Sequence, residues 1–547
     1  MNESGWRAAS YPPACAPSNP ARSQARNETP RMRRSVAPAG APSPTRWIRQ
    51  RNCIATAHEP QRTWAPHPLS NASARTLKPE TALSPQAAMA MALALSRQAI
   101  GLSDPNPRVG CVITDANGHL LGAGHTQRAG GPHAEVMALR DVVARGHAKE
   151  ALVGAHVYVT LEPCAHHGRT PPCCEALSAA RVGHVHIALA DPNPLVAGKG
   201  RRHLEEAGIA CELGLGADEA REINIGFLSR MVRGRPYVRM KIAASLDGRT
   251  ALPDGRSQWI TGPAARQDGH GWRQRAGAIL TGIGTVRDDD PRLDLRLPSG
   301  EVPPLQPLRV IADSRLATPP SARILQAPGN VLLVHALEST APSVEAGPPS
   351  TSASPAPAHA PFDPFDPLDA ARAAGSPWPA GVECLSLPQA AGGAGSPLDS
   401  GPDSAADGVA DVVADGVADG VTDGAPCPSQ AGNATNAADL GTDPGPSARR
   451  GPPPRVDLAA LMTELGRRGV NELHVEAGAT LNGALLQAGL VDELLVYLAP
   501  KFLGDGRGMA TLGVLPDLQA APRFELLDCT PVGDDVRLRL RRPELGF

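Results

Sequence analysis

The sequence predicts two α/β domains in one chain. Apolar strand-like runs alternate with helical patterns in two separate blocks, residues 85–232 and 233–547, and segments without hydrophobic periodicity precede the first block and interrupt the second. At 547 residues the chain is also long enough for two to four domains of roughly 150 residues each. The 56 glycines and 57 prolines, with aromatics at only 3%, imply ordered domains diluted by stretches that cannot bury a core.

Residues 1–84 are rich in Arg, Pro, Ser and Ala and read as a disordered leader, or as the product of an upstream start with Met89 or Met91 as the true beginning. A targeting peptide or a nucleic-acid arm is the alternative; no apolar h-region suggests secretion. Order is expected from Pro85. Met89–Ile100 reads as a helix, Val109–Ile113 as a buried strand, and Asp115-Ala-Asn-Gly118 as a hairpin turn into a strand at Leu120–Gly124. Glu135–Arg145 is helical, with Val136, Leu139 and Val143 expected on its buried face. His156–Leu161 reads as a strand, Glu175–Ala180 as a helix and Val185–Ala190 as a further strand. The second block opens with a strand at Tyr237–Ala243. Further runs at Ala278–Thr281, Leu308–Ala312, Val331–His335, Glu472–Glu476 and Leu494–Leu498 predict a largely parallel sheet. Residues 339–454 are Ala, Gly, Pro, Ser and Asp and read as a disordered surface insertion, tolerable because loop-closure entropy grows only logarithmically with length.

The net charge of −2 gives no general reason to expect nucleic acid, and no run approaches the roughly 18 apolar residues of a membrane span. Ten cysteines in so long a chain fit metal binding in a reducing, cytoplasmic setting better than a disulfide framework.

The chemistry concentrates in His133-Ala-Glu135, Pro163-Cys164 and Cys173. One imidazole and two thiolates are three soft ligands for Zn²⁺ with a fourth position left for water, and Glu135 is placed to shuttle protons. His-x-Glu followed by Pro-Cys and a second Cys is the signature of zinc-dependent nucleobase deaminases. His133 and Glu135 are expected in the first turn of a helix, Cys164 at the start of another, and Cys173 at the end of a loop. A structural site closed by His166 or His167 is the competing reading. The eight residues Ala165–Pro172 between the thiols exceed the usual Cys-x-x-Cys spacing and carry Arg169 and Thr170, groups suited to a phosphorylated substrate or simply to a solvated loop.

Several long motifs carry a specific resemblance: Asn106–Gly110, Pro132–Glu135, Thr160–Cys173, Asp191–Pro194, Lys241–Thr250, Ser257–Thr261, Asp288–Pro291 and Val475–Gly478. Together they resemble the bifunctional riboflavin-biosynthesis deaminase/reductases across both ordered blocks. The resemblance implies a cytidine-deaminase-like α/β/α domain followed by a dihydrofolate-reductase-like α/β domain. It implies hydrolytic deamination of 2,5-diamino-6-(5-phosphoribosylamino)pyrimidin-4-one, then NADPH-dependent reduction of the ribosyl chain to ribityl. His133, Cys164 and Cys173 correspond to the family's zinc ligands and Glu135 to its catalytic proton shuttle. Cofactor positions fall on Ala243, Trp259, Thr285, Asp289 and Ser314, and on the pyrophosphate turn Gly478, Ala479, Thr480, Leu481, Asn482, Gly483 and Ala484. Substrate positions fall on Ser257, Arg273, Leu293, Arg296 and Glu476. The implied partners are a small pyrimidine ribose phosphate and further copies of the chain, with no nucleic acid and no membrane. From the residues alone, Gly478–Gly483 follows a strand and opens a helix, so its free N–H groups suit phosphate, although G-x-G-x-x-G is absent. Asp289 and Lys241 are both open as proton donors for the reduction.

Overall fold

The computed structural model describes residues 82–166, 171–194, 196–336, 378–390 and 455–543. The expected leader up to residue 81, the loop residues His167, Arg169 and Thr170, and most of the expected insertion lie outside the described residues.

Helix α1 (Pro85–Ser96) starts where Ser84 accepts the Ala87 N–H and Pro85 occupies the first turn, both strong helix-start signals. Strands β1 (Gly110–Thr114), β2 (Leu120–His125), β3 (His156–Val159), β4 (His184–Ile187) and β5 (Ala210–Leu213) form a sheet in the order β2-β1-β3-β4-β5. β1 is antiparallel to both of its neighbours, while β3, β4 and β5 run parallel. Helices α2 (Ala134–Ala144), α3 (Cys173–Ala179), α4 (Lys199–Glu206), α5 (Ala217–Ile223) and α6 (Ile225–Arg233) complete this half. Its two apolar clusters cover opposite sheet faces: Val157, Val159, Val185 and Ile187 on one, Val112 and Tyr158 with α1 on the other. β5 and the helices α4, α5 and α6 were not expected from the sequence.

The buried face of α2 differs from the expected one. Ala134, Glu135, Ala138 and Val142 are buried, Leu139 is half-buried, and Val143 is exposed. Small residues win because α2 lies directly on β2: a Cβ at Gly122 would come 2.5 Å from the Ala138 carbonyl, and one at Gly124 would come 2.5 Å from Met137 Cβ. Hydrophobicity counts favour Leu and Val, but close approach of backbones favours Ala and Gly.

The second half holds β6 (Tyr237–Ser245), β7 (Arg249–Ala251), β8 (Ala278–Gly282), β9 (Leu308–Ala312), β10 (Val331–Ala336), β11 (Val382–Leu387), β12 (Glu472–Val475), β13 (Glu493–Ala499), β14 (Arg507–Gly508), β15 (Glu525–Val532) and β16 (Asp535–Arg541). Nine of them form one sheet, β11-β10-β9-β8-β12-β6-β13-β16-β15, parallel from β11 through β13 and closed by an antiparallel hairpin. Helices α7 (Pro263–Arg275), α8 (Ile283–Asp289), α9 (Arg323–Gln326), α10 (Leu458–Arg467) and α11 (Ala479–Gln487) flank it. The order doubles back at β12, which returns between β8 and β6; in open parallel sheets ligands bind outside the carboxyl ends at such a switch.

Residues 339–454 were expected to lack structure, yet β11 lies inside this span and pairs in parallel with β10 over six residues, Val331↔Val382 to Ala336↔Leu387. An apolar strand edge such as β10 is stabilised by any compatible partner, and Val382-Glu-Cys-Leu-Ser-Leu387 supplies the alternation among otherwise low-complexity sequence.

Candidate active sites

His133 is the N-cap of α2, in extended conformation, and Glu135 sits in that helix's first turn. β3 leads into Thr160–Cys164, and Cys173 opens α3. The expected placement of the cysteines is therefore exchanged: Cys164 lies in the loop and Cys173 starts the helix. The helix terminus still reaches Cys164, because the Cys173 N–H points at Cys164 Sγ from 3.3 Å.

Cys164 Sγ and Cys173 Sγ lie 3.5 and 3.3 Å from His133 Nδ1. A tetrahedral zinc ion with bonds of about 2.0–2.3 Å separates its ligands by about 3.5 Å, so the three donors fit that ion. His166 falls outside this cluster, and His167 lies outside the described residues. The neighbouring Cys173 and His133 lower the Cys164 pKa, while the neighbouring Cys164 and burial raise that of Cys173. Glu135 is 3% exposed; burial, reinforced by the Cys164 charge, pushes its carboxyl up to about 7.

Sequence reasoning missed the support beneath this cluster. Glu162 is buried and accepts N–H groups of Asp191 (3.3 Å), Gly198 (3.1 Å) and Arg201 (3.1 Å). It thereby pins the Pro163-Cys164 turn to the start of α4, where a Cβ at Gly200 would sit 1.8 Å from the Pro163 carbonyl. The available signal was Glu162's place beside Pro163-Cys164 in a long motif.

In the second half, the expected cofactor positions come from the carboxyl ends of adjacent parallel strands: Ala243 near the end of β6, Thr285 and Asp289 on α8 after β8, Ser314 after β9, and Gly478–Ala484 after β12. Gly478 is the N-cap of α11, with no side chain capping the first turn. A Cβ there would lie 3.6 Å from Thr285 Oγ1, and one at Gly284 would meet nothing within 4 Å. An uncapped helix start with open glycine backbone suits the phosphates of a dinucleotide such as NADPH. Within the turn, Gly478 and Thr480 are exposed, whereas Asn482 and Gly483 are buried. Asn482 Nδ2 donates to the Ala477 and Met509 carbonyls, and Gly483 packs on Thr511, so both serve the helix seat. The Ser314 hydroxyl accepts the Val456 N–H. Trp259 is 66% exposed, with the Arg266 guanidinium 4.5 Å from its ring.

Among the expected substrate positions, Arg273 grips Glu476 in a bidentate pair of 2.5 and 3.0 Å and donates to the Asp294 carbonyl. Burial opposes ionisation of Glu476, but Arg273 and then Lys241, whose Nζ is 3.6 Å away, hold it well below the usual carboxylate range. Ser257 donates to Asp289 at 2.6 Å. Arg296 is exposed beside Asp294, and its N–H faces His270 Nδ1 at 3.4 Å. Leu293, at φ 48°, is buried in the cluster with Val286 and Ile311, so any ligand contact would fall to its backbone. His270 was missed although it lies one helical turn before Arg273; burial, Arg273 and Arg296 bring it down to about 4.

Residues 83–189 match the family model of the cytidine and deoxycytidylate deaminase zinc-binding region, and residues 236–343 with 430–538 match that of the RibD C-terminal domain. The chain is 38% identical over 464 residues to the riboflavin biosynthesis protein RibD of Escherichia coli, covering 83% of this chain and 98% of that protein. Against RibD of Haemophilus influenzae the identity is 36%, over 82% of this chain and 95% of the relative. A solved structure of Acinetobacter baumannii RibD superposes with a TM-score of 0.59 at 36% identity, covering 84% of this chain and 99% of that one.

Proposed function

The chain belongs to the RibD family of bifunctional riboflavin-biosynthesis deaminase/reductases, and from that premise we propose which residues perform each of its two reactions. The enzyme couples a zinc-dependent deaminase to an NADPH-dependent reductase. The substrate is read as 2,5-diamino-6-(5-phosphoribosylamino)pyrimidin-4-one, deaminated to the uracil and then reduced in its opened ribose to 5-amino-6-(5-phosphoribitylamino)uracil.

The observation that carries the deaminase assignment is the cluster of half-buried His133 and Cys164 with buried Cys173, and the buried Glu135 against it. His133, Cys164 and Cys173 would hold zinc, which when bound acidifies water toward neutrality. Glu135 takes the water proton, delivers it to the ring nitrogen, and assists departure of ammonia. Its position in the first turn of α2 keeps the carboxylate beside the metal donors without making it a ligand.

In the reductase half, the N–H groups at Gly478–Thr480 would hold the NADPH pyrophosphate, with Thr285 beside Gly478 and Ala243 near the end of the neighbouring strand β6. The pair Arg273–Glu476 fixes the substrate, Glu476 toward hydroxyls and Arg273 with Arg296 toward phosphate. Lys241 lies 3.6 Å from Glu476, whereas Asp289 is engaged by Ser257, and Lys241 is the proton donor we favour for the developing alkoxide. The assembly reads as homo-oligomeric: β15 is a sheet edge carrying exposed Leu526 and Leu527. The seven described cysteines are free, which fits a cytoplasmic setting.

Glu135→Gln tests the assignment. Zinc content should be unchanged, ammonia release should fall by about 10²–10⁴-fold, and NADPH oxidation with the deaminated intermediate should persist. Undiminished ammonia release would remove Glu135 from its role.

A further inference from the structure

At the opposite end of the deaminase sheet from Cys164, three imidazoles share one face. His156 opens β3 and His184 opens β4, and the parallel register sets them side by side; His186, two residues on, lies on the same face. Ring centroids are 4.2 Å apart for His184–His186, 5.4 Å for His156–His184 and 5.7 Å for His156–His186. One ring nitrogen from each lies within 4.8 Å of the others. β5 adds Glu212, paired with His186 in the register. Its Oε2 is 3.0 Å from His186 Nδ1 and its Oε1 is 3.5 Å from His184 Nε2.

These groups satisfy one another only in part. A carboxylate only accepts, so His186 Nδ1 carries the hydrogen toward Glu212, and Nε2 of the neutral ring is left as an acceptor. That acceptor faces His156 Nδ1 at 3.4 Å. His184 Nε2 is buried and makes no hydrogen bond among the described residues. Converging neutral imidazoles are donors for borderline-soft divalent ions, and a carboxylate on the far nitrogen of a ligating ring is what orients such a ligand. Ring packing accounts for Tyr158 stacked 4.5 Å from His186, but leaves the His184 nitrogen and the placement of Glu212 unexplained.

We propose that His156, His184 and His186, oriented by Glu212, form a second site for a divalent transition-metal ion of the zinc class, separate from the cysteine-containing centre. The ion ties β3 and β4 together directly and β5 through Glu212. Since the site forms only when the strands pair, binding stabilises the folded deaminase half by mass action. Glu212 is exposed and His156 and His184 are half-buried, so the ion has a route from solvent.

The experiment is metal analysis of tag-free full-length protein, saturated with Zn²⁺ and then gel-filtered. Two zinc ions per chain are expected, with one in His184→Ala/His186→Ala and one in Cys164→Ser/Cys173→Ser. The histidine variant should deaminate at the wild-type rate and lose the rise in Tm that excess Zn²⁺ gives the wild type. With Co²⁺, one equivalent should show thiolate charge transfer and the other only d–d bands, which distinguishes failure of this site from failure of the catalytic one. His156→Gln, a milder change, should weaken the second ion by at least about tenfold. A single zinc in the wild type, or two in the histidine variant, overturns the proposal.

Discussion

Three guanidiniums converge on the buried carboxylate of Glu472: Arg108 at 2.5 Å, Arg239 at 2.6 Å and Arg275 at 2.8 Å. Arg108 comes from the deaminase half, 364 residues away in sequence, so nothing local to Glu472 announces the contact. Burial alone would raise this carboxyl, yet Arg275, Arg108 and Arg239 hold it down at about 2. A depressed pKa contributes stability above the unfolded value of about 4.5, and that stability fades as pH falls toward about 2. Acid unfolding should therefore steepen between these limits; Glu472→Gln should flatten it and cost about 3–5 kcal/mol at neutral pH, because it strands buried cations. Urea unfolding followed across pH would check both, and an unchanged acid limb would refute the role of Glu472. Residues of this kind were illegible in the sequence, whereas the clustering of His133, Cys164 and Cys173 was legible because soft donors at that spacing are a local property of the chain.

At the scale of elements, the sequence located most strands within one or two residues, because apolar runs bounded by turn residues fix them locally. It misjudged which face of α2 is buried, since helix-on-strand distance is a tertiary quantity. Gly124→Val should push Met137 and the α2 backbone off β2, displacing His133 and Glu135; zinc retention and deamination should fall sharply while NADPH oxidation continues. Equal loss of both activities would show that the clash spreads beyond α2. β11 gives a second test. Deleting residues 341–453 removes β11 and bares the β10 edge, so the shortened protein should aggregate and bind NADPH less well, whereas deleting 395–450 should leave both activities intact. Indistinguishable behaviour of the two deletions would make β11 dispensable.

Across the whole molecule, the two catalytic halves meet through charge rather than through a simple apolar seam. Arg233 holds Asp492 at 2.8 and 2.9 Å, Asn471 donates to Asp104 at 2.6 Å, and Arg539 and Arg541 reach Glu222 at 2.7 and 2.8 Å. Asp535-Val-Arg-Leu-Arg-Leu-Arg541 alternates like a strand with one solvated face, yet Arg537 and Arg539 are buried beside Trp272, their guanidiniums 5.8 and 5.2 Å from its ring. Arg233→Ala/Arg539→Ala should loosen this junction and lower the Tm of both halves together, with each kcat within about twofold of wild type; calorimetry showing no change in either transition would place the coupling elsewhere. The sequence by itself determined the chemistry, two α/β blocks and a soft-donor metal motif, because hydrophobic period and ligand spacing are local properties. Only the tertiary structure decided the junction, the buried face of α2, the pairing of β11 and the histidine face of β3 and β4, because each depends on groups that distant segments bring within a few ångströms.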